Sequence, residues 1–140
     1  MHPRTPSLTL TLLQAREATM AFFRPSLNTH ELTEQQWRVV RILRRQEELE
    51  SYQLAELACI LKLSMTGVLK RLERDGLVAR RKSQVDQRRV LVSLTVKGHQ
   101  AFLAMSEEMK DGYEKIVKQV GEDNLQLLMQ LLNDMKNIKP

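Results

Sequence analysis

Apolar positions recur at helical spacing along most of this chain, and the texture turns to short β-like runs only between residues 77 and 94. Residues 8–27 are rich in Leu, Ala, Met and Phe and read as mostly helical, with Arg16 and Glu17 set among apolar neighbours; Pro25 is expected to end or bend the helix. Thr33-Glu-Gln-Gln36 fits a capping box, in which the Thr side chain and the Gln satisfy free backbone donors reciprocally. The helix that follows carries Gln36, Val39, Val40 and Leu43 on one side with Trp37 and Ile42 beside them, which predicts burial on more than one face. Residues 47–51 read as a polar connector. Ser51 is the expected cap of a short helix holding Leu54, Leu57 and Ala58, Leu61-Lys-Leu63 the expected turn, and Ser64 the expected cap of a helix running to about Asp75 and stopped by Gly76.

Residues 77–82 and 90–94 then read as two strands around a polar loop, 83–89, making a hairpin with a basic tip. Thr95 is the expected cap of a long helix with Phe102, Met105, Met109, Tyr113, Ile116, Val117 and Val120 at three- and four-residue spacing. Gly121 breaks it, and a last helix carries Leu125, Leu128, Leu131, Leu132 and Met135. The expected fold is mainly α (α+β): a winged helix-turn-helix with flanking N- and C-terminal helices.

Composition narrows this picture without overturning it. A chain of 140 residues, 42% hydrophobic and 28% charged, is sized and composed for one globular domain spanning residues 1–140. Residues 1–7, short and carrying two prolines, read as a flexible arm. No apolar run approaches the roughly 18–20 residues of a membrane span, so a cytoplasmic protein is expected. A formal net charge of +5 favours a polyanionic partner, but only the placement of that charge is informative.

That placement is specific. At about 100° per residue, Met65, Val68, Leu69 and Leu72 share one narrow sector of their helix. Thr66, Gly67, Lys70, Arg71 and Arg74 fall on the opposite one. One face packs, and the other presents small residues at its N-terminal end followed by cations. A helix entering a major groove requires this arrangement: small residues let the backbone approach the bases, and cations reach phosphates or guanine acceptors. A solvated basic surface helix has the same pattern. The hairpin separates the two readings, because Arg80, Arg81 and Lys82 are followed closely by Arg88 and Arg89. Such a cluster, expected to lack helix partners, repels itself unless an anion is near, and an arginine at the tip suits a narrow minor groove. Asp86 is expected either to take a bidentate bond from a wing arginine or to serve as a turn residue, and the two roles are compatible.

Leu54-Ala-Glu-Leu-Ala58, Leu72-Glu-Arg-Asp-Gly-Leu-Val-Ala-Arg80 and Asp86-Gln-Arg-Arg-Val-Leu-Val-Ser-Leu-Thr95 together resemble the MarR family of transcription regulators, along essentially the whole chain. Within it, Arg16-Glu17, Phe23-Arg-Pro25 and Leu32-Thr-Glu-Gln-Gln-Trp-Arg38 resemble regulators of aromatic-acid degradation operons. The resemblance implies an obligate homodimer joined by terminal helices (8–30 and 98–137) around a DNA-binding lobe (33–95). The apolar surface of the terminal helices supports that independently. It implies a pseudo-palindromic operator in double-stranded DNA with half-sites roughly 34 Å apart. Ser64, Met65, Thr66, Gly67, Lys70, Arg71 and Arg74 would meet that duplex with Arg81, Asp86, Arg88 and Arg89 of the wing.

The resemblance also implies a small aromatic acid effector, of the hydroxyphenylacetate kind, that weakens operator binding. Arg16 is the expected carboxylate partner, since an unpaired guanidinium in an apolar helix is costly. Pairing with a neighbouring acid or exposure to water is the alternative. Met20, Phe23, His30, Trp37 and Arg41 complete the expected site, although a lone Trp37 also reads as core. Sensing of an unrelated small molecule, and RNA or protein binding by the winged helix, stand as alternatives.

Other chemistries find no support. Cys59, the one cysteine, lies in the apolar stretch 57–63 and is expected to be a buried structural thiol rather than an oxidant sensor. His2, His30 and His99 lack metal-ligand spacing, so no metal is expected. No phosphate loop, nucleophile elbow or carboxylate pair suggests an enzyme, and no cofactor is expected.

Overall fold

In the computed structural model, which describes residues 6–140, the chain forms two compact units, residues 6–23 with 108–140 and residues 24–107. The first five residues of the expected arm lie outside the described residues. The second unit is built from α2 (Arg24–Thr29), α3 (Glu34–Gln46), β1 (Glu48–Glu50), α4 (Ser51–Ala58), α5 (Lys62–Arg74), β2 (Val78–Lys82) and β3 (Val90–Leu94). The first turns of α6 (Val96–Val120) complete it. The first unit holds α1 (Leu8–Met20), the rest of α6 and α7 (Glu122–Met135).

The α3 start is as the sequence reads: Gln36 N–H donates to Thr33 Oγ1 at 3.1 Å, and Thr33 N–H donates to Gln36 Oε1 at 2.9 Å. Val39, Val40 and Leu43 of α3 are fully buried, together with Leu54, Leu69, Leu72 and Val92 from the elements around them. This core joins the helix-turn-helix to the sheet. The sheet has the order β1-β3-β2, antiparallel throughout, with Leu49 opposite Val92 and Arg80 opposite Val92 on its other side.

Thr95 anchors the wing to the following helix. Its N–H donates to Leu77 O and its hydroxyl to Gly76 O at 2.6 Å, while its Oγ1 accepts from Gly98 N at 3.0 Å. Gly98 is required by this approach, because a Cβ there would lie 2.2 Å from Leu77 O.

Local expectations fail in four places, each for a physical reason. The helical stretch does not run to residue 27: it ends at Met20, and Pro25 lies in the first turn of a new helix, where its missing N–H leaves no bond unmade. The connector at 47–51 contains strand β1, since Glu48, Leu49 and Glu50 pair with Ser93, Val92 and Leu91. Its backbone therefore stays extended through Glu50, which takes the N-cap position expected of Ser51; Gln53 Oε1 accepts from Glu50 N–H at 3.0 Å. The turn between α4 and α5 also comes earlier than expected, at residues 59–61. Cys59 adopts φ 54° and Ile60 N–H returns to Ala55 O, so the reversal is complete before Leu61. The helix then starts at Lys62, which puts Leu63 and Ser64 inside its first turn and leaves Leu61, not Ser64, at the N-cap.

The first unit is the less enclosed. No residue of α1 or of α7 is buried, and Leu8, Leu13, Leu127, Met129 and Leu131 are each more than half exposed. Its centre is the Phe23–Tyr113 pair, with ring centroids 4.9 Å apart, beside buried Met109 and Ile116.

Candidate nucleic-acid interface

The 106° bend between α4 and α5 is the helix-turn-helix angle. Helix α5 divides as its periodicity predicts: Met65, Val68, Leu69 and Leu72 are buried, whereas Thr66, Lys70, Arg71 and Arg74 are exposed. Met65 is a correction to the expected DNA-facing set, because its side chain is 1% exposed and packs inward. Arg74 is tied back to Asp75 at 3.2 Å, while Lys70 and Arg71 extend from the middle of the exposed face. Gly67 has nothing within 4 Å of where a Cβ would stand, so no contact inside the chain demands a glycine there. Its lack of a side chain serves whatever approaches from outside.

The wing is ordered by hydrogen bonds within its loop. Ser83 Oγ accepts from Val85 N–H and Asp86 N–H, and Ser83 N–H donates to Arg89 O at 2.9 Å. Asp86 fills both roles expected of it. Its Oδ1 accepts from Arg88 N–H at 3.0 Å, an Asx turn, and its two oxygens accept from Arg88 Nε at 3.2 Å and Nη2 at 3.3 Å. The Arg88 side chain, with its backbone N–H, holds the Asp86 carboxyl below its usual range, aided by the charge of Arg89. Arg88 remains 91% exposed at the tip.

The expectation that the wing cations lack helix partners fails at Arg80, and others of them pair with acids of strand β1. Arg80 donates to both oxygens of Glu73 on α5, lowering the Glu73 carboxyl and raising the guanidinium. Arg81 grips Glu48 at 2.7 and 2.8 Å, and that bond raises its own pKa. Arg89 Nε lies 3.2 Å from Glu50 Oε1 and 3.9 Å from Asp86 Oδ2. The alternation of Glu48 and Glu50 around Leu49 is the local signal of a strand, but the pairing with residues 91–93 that sets both acids beside the wing is not written in residues 47–51. Exposed pairs of this kind contribute little stability, and their consequence is to fix where each guanidinium points. A cleft of about 490 Å³ separates the wing from the helices, with Ser51, Tyr52, Lys62, Arg88 and Arg89 along it and Glu50 at its side.

The expected effector residues divide between the units: Arg16, Met20 and Phe23 in the first, His30, Trp37 and Arg41 in the second. Arg16 stands on exposed α1 with Glu17 Oε1 at 3.5 Å, which is the neighbouring-acid alternative. Met20 is half-buried and Phe23 buried against Tyr113. Trp37 is buried and stacks on Phe102 at 5.6 Å, with the Arg44 guanidinium 5.2 Å from the Phe102 centroid. Arg41, one turn along α3 from Trp37, is exposed, and half-buried His30 borders a second cleft, of about 560 Å³, beside Leu32, Arg74 and Lys97. Phe102 and Tyr113 were legible only as helix-face apolar residues.

Cys59 corrects another expectation. It is exposed, because the left-handed backbone at the end of α4 turns its side chain away from the core that takes Ile60. Among the described residues no group of three or more His, Cys, Asp or Glu is placed to hold a metal ion. Among the described residues no single helix is long and apolar enough to cross a membrane.

Comparison with known proteins agrees with this geometry. The MarR family model matches residues 32–90. The homoprotocatechuate degradative operon repressor of Escherichia coli is 46% identical over 128 residues, covering 91% of this chain and 86% of that one. The crystal structure of the transcriptional regulator PA4135 is 65% identical and superposes with a TM-score of 0.94 over 97% of this chain and all of that one. The structure of NadR in complex with 4-hydroxyphenylacetate is 41% identical, with a TM-score of 0.88 over 99% of each chain. The winged helix-turn-helix, its basic recognition face and these relatives together place the chain in the MarR family of transcriptional regulators.

Proposed function

We propose that this chain is a ligand-responsive transcriptional repressor that binds a pseudo-palindromic operator as a homodimer and releases it on binding a small aromatic acid. The observation that carries the DNA reading is the pairing of a one-sided basic helix with an arginine clamped and presented at the wing tip. Ser64, Thr66, Gly67, Lys70 and Arg71 face the major groove, Arg74 follows them at the helix end, and Arg88 enters the minor groove. Asp86, Arg81 and Arg89 order the wing through their ion pairs. The apolar faces of α1 and α7 support the dimer, since exposed leucines on two helices of one unit are surface that a second copy covers. The dimerisation segments are 8–30 and 98–137, around a DNA-binding lobe at 33–95.

The effector reading rests on the named relatives, one of them a homoprotocatechuate operon repressor and another bound to 4-hydroxyphenylacetate. Arg16 is the proposed partner of the carboxylate, and Met20, Phe23, His30, Trp37 and Arg41 are the other proposed effector-binding residues. An effector that favours a dimer with misplaced recognition helices lowers operator affinity by its differential affinity for the two arrangements. The protein works in the cytoplasm, catalyses no reaction and needs neither metal nor cofactor.

The test is a gel-shift titration on a duplex enriched by the protein from a random-sequence pool. Arg88→Ala weakens the shift, and 4-hydroxyphenylacetate releases the parent protein. Unchanged binding by both Arg88→Ala and Arg89→Ala overturns the wing assignment. Isothermal titration showing no binding of any hydroxyphenylacetate overturns the effector alone.

A further inference from the structure

The first turn of α5 carries an apolar side chain where solvent should disfavour one. Leu63 is 94% exposed, yet it belongs to the helix rather than to the turn before it. At 100° per residue it falls within about 40° of Gly67, Lys70 and Arg74 and opposite buried Met65 and Leu72. It therefore stands in the middle of the basic face, at the N-terminal end, beside Ser64. Along the helix that face continues as Gly67, Lys70 and Arg74, whereas Leu61, 78% exposed, precedes the helix at its N-cap, so the face carries no apolar stripe of a protein-docking patch.

We propose that Leu63 is a specificity-determining residue that reads the 5-methyl group of thymine in the major groove. This rests on the DNA reading above and deepens it. The major groove presents one apolar group among its hydrogen-bonding atoms, the thymine methyl, and an apolar side chain carried in on a cationic helix face is its complement. Lys70 and Arg71 draw the helix to phosphate, and Gly67, with open space where a Cβ would stand, lets it approach closely. In that position Leu63 loses its contact with water only when a methyl meets it. The chemistry selects thymine over cytosine, which lacks the methyl, and over uracil, which lacks only the methyl.

The experiment uses a duplex enriched by the full-length parent protein from a random-sequence pool, with its thymines replaced one at a time by uracil. Affinity is read by fluorescence anisotropy for the parent, Leu63→Ala and Leu63→Ser. The parent loses about three- to tenfold in affinity at one or two thymines in each half-site, the scale of burying a methyl group. Leu63→Ala and Leu63→Ser lose that discrimination while keeping the parent's thermal unfolding midpoint, since so exposed a side chain supports no packing. Equal binding of thymine and uracil duplexes by the parent overturns the proposal, as does discrimination retained in Leu63→Ala. If the parent enriches no duplex at all, the DNA reading itself is overturned and this inference with it. If it enriches one that Leu63→Ala reads identically, only this inference falls.

Discussion

Glu50 and Arg89 meet at 3.2 Å across the gap between the helix-turn-helix and the wing, the carboxylate side chain only 11% exposed and the guanidinium 62%. The pair joins the residue that caps α4 to the residue that precedes β3. Charge counting alone makes an acid on a DNA-binding face unfavourable, so Glu50→Gln should tighten binding. The geometry gives the opposite sign. Without its anchor Arg89 loses its direction, and the wing that presents Arg88 loosens with it. Glu50→Gln is expected to weaken duplex binding by roughly three- to tenfold, about 1 kcal/mol, the scale of one ordinary hydrogen bond, because the anchor acts on the duplex only through Arg89 and the wing. Faster amide exchange through residues 83–89 checks the cause. Tighter binding by Glu50→Gln rules this role out.

Asp86 predicts a pH dependence of definite sign. Its folded carboxyl lies below the ordinary value because Arg88 bonds its charged form. A depressed carboxyl contributes stability that is fully present above the unfolded pKa, near 3.9, and is lost only as pH falls through the lower folded value. The wing clasp therefore persists from neutral pH down through the usual carboxylate range. An NMR titration of the Asp86 carboxyl should give a midpoint below the model-peptide value. Asp86→Asn should weaken duplex binding although it removes a negative charge.

Gly67 separates stability from function. An alanine there meets no atom within 4 Å, and glycine inside a helix costs about 0.5–1 kcal/mol relative to alanine. Gly67→Ala is expected to raise the unfolding free energy by about that amount and to weaken operator binding by holding the helix off the bases. Denaturant unfolding and anisotropy on the same preparation check both signs.

Cys59 carries backbone strain without a packing role. It is exposed at φ 54°, a conformation costing a residue other than glycine about 1 kcal/mol. Cys59→Gly should stabilise the fold modestly, by less than that amount once glycine's greater unfolded-state freedom is set against it. Its DNA affinity should match the parent's under reducing and oxidising conditions alike.

The parts of this fold legible in the sequence are those written in short-range patterns. The capping box at Thr33 and Gln36, the two faces of α5 and the bidentate hold of Asp86 on Arg88 each depend on residues within a few positions of one another. What escaped depends on partners far along the chain. Nothing within residues 47–51 shows that Glu48 and Glu50 lie beside β3, because strand pairing with residues 91–93 is a long-range fact. Arg81 and Arg89 accordingly looked unpartnered. The start of α5 is hidden for a related reason: a left-handed cysteine completes a turn that glycine would advertise. That shift moved Leu63 from a turn onto the recognition face.

The central claim is that the basic face of α5 and the wing bind duplex DNA. Its most direct test is the affinity of the intact protein for a pool-enriched duplex, measured by anisotropy across a salt series, beside an RNA hairpin of equal length. Electrostatic binding through six or more phosphates predicts a fall of about a thousandfold or more between roughly 50 and 200 mM salt, with the RNA bound more weakly throughout. Binding that ignores salt, or that prefers the RNA, would contradict it.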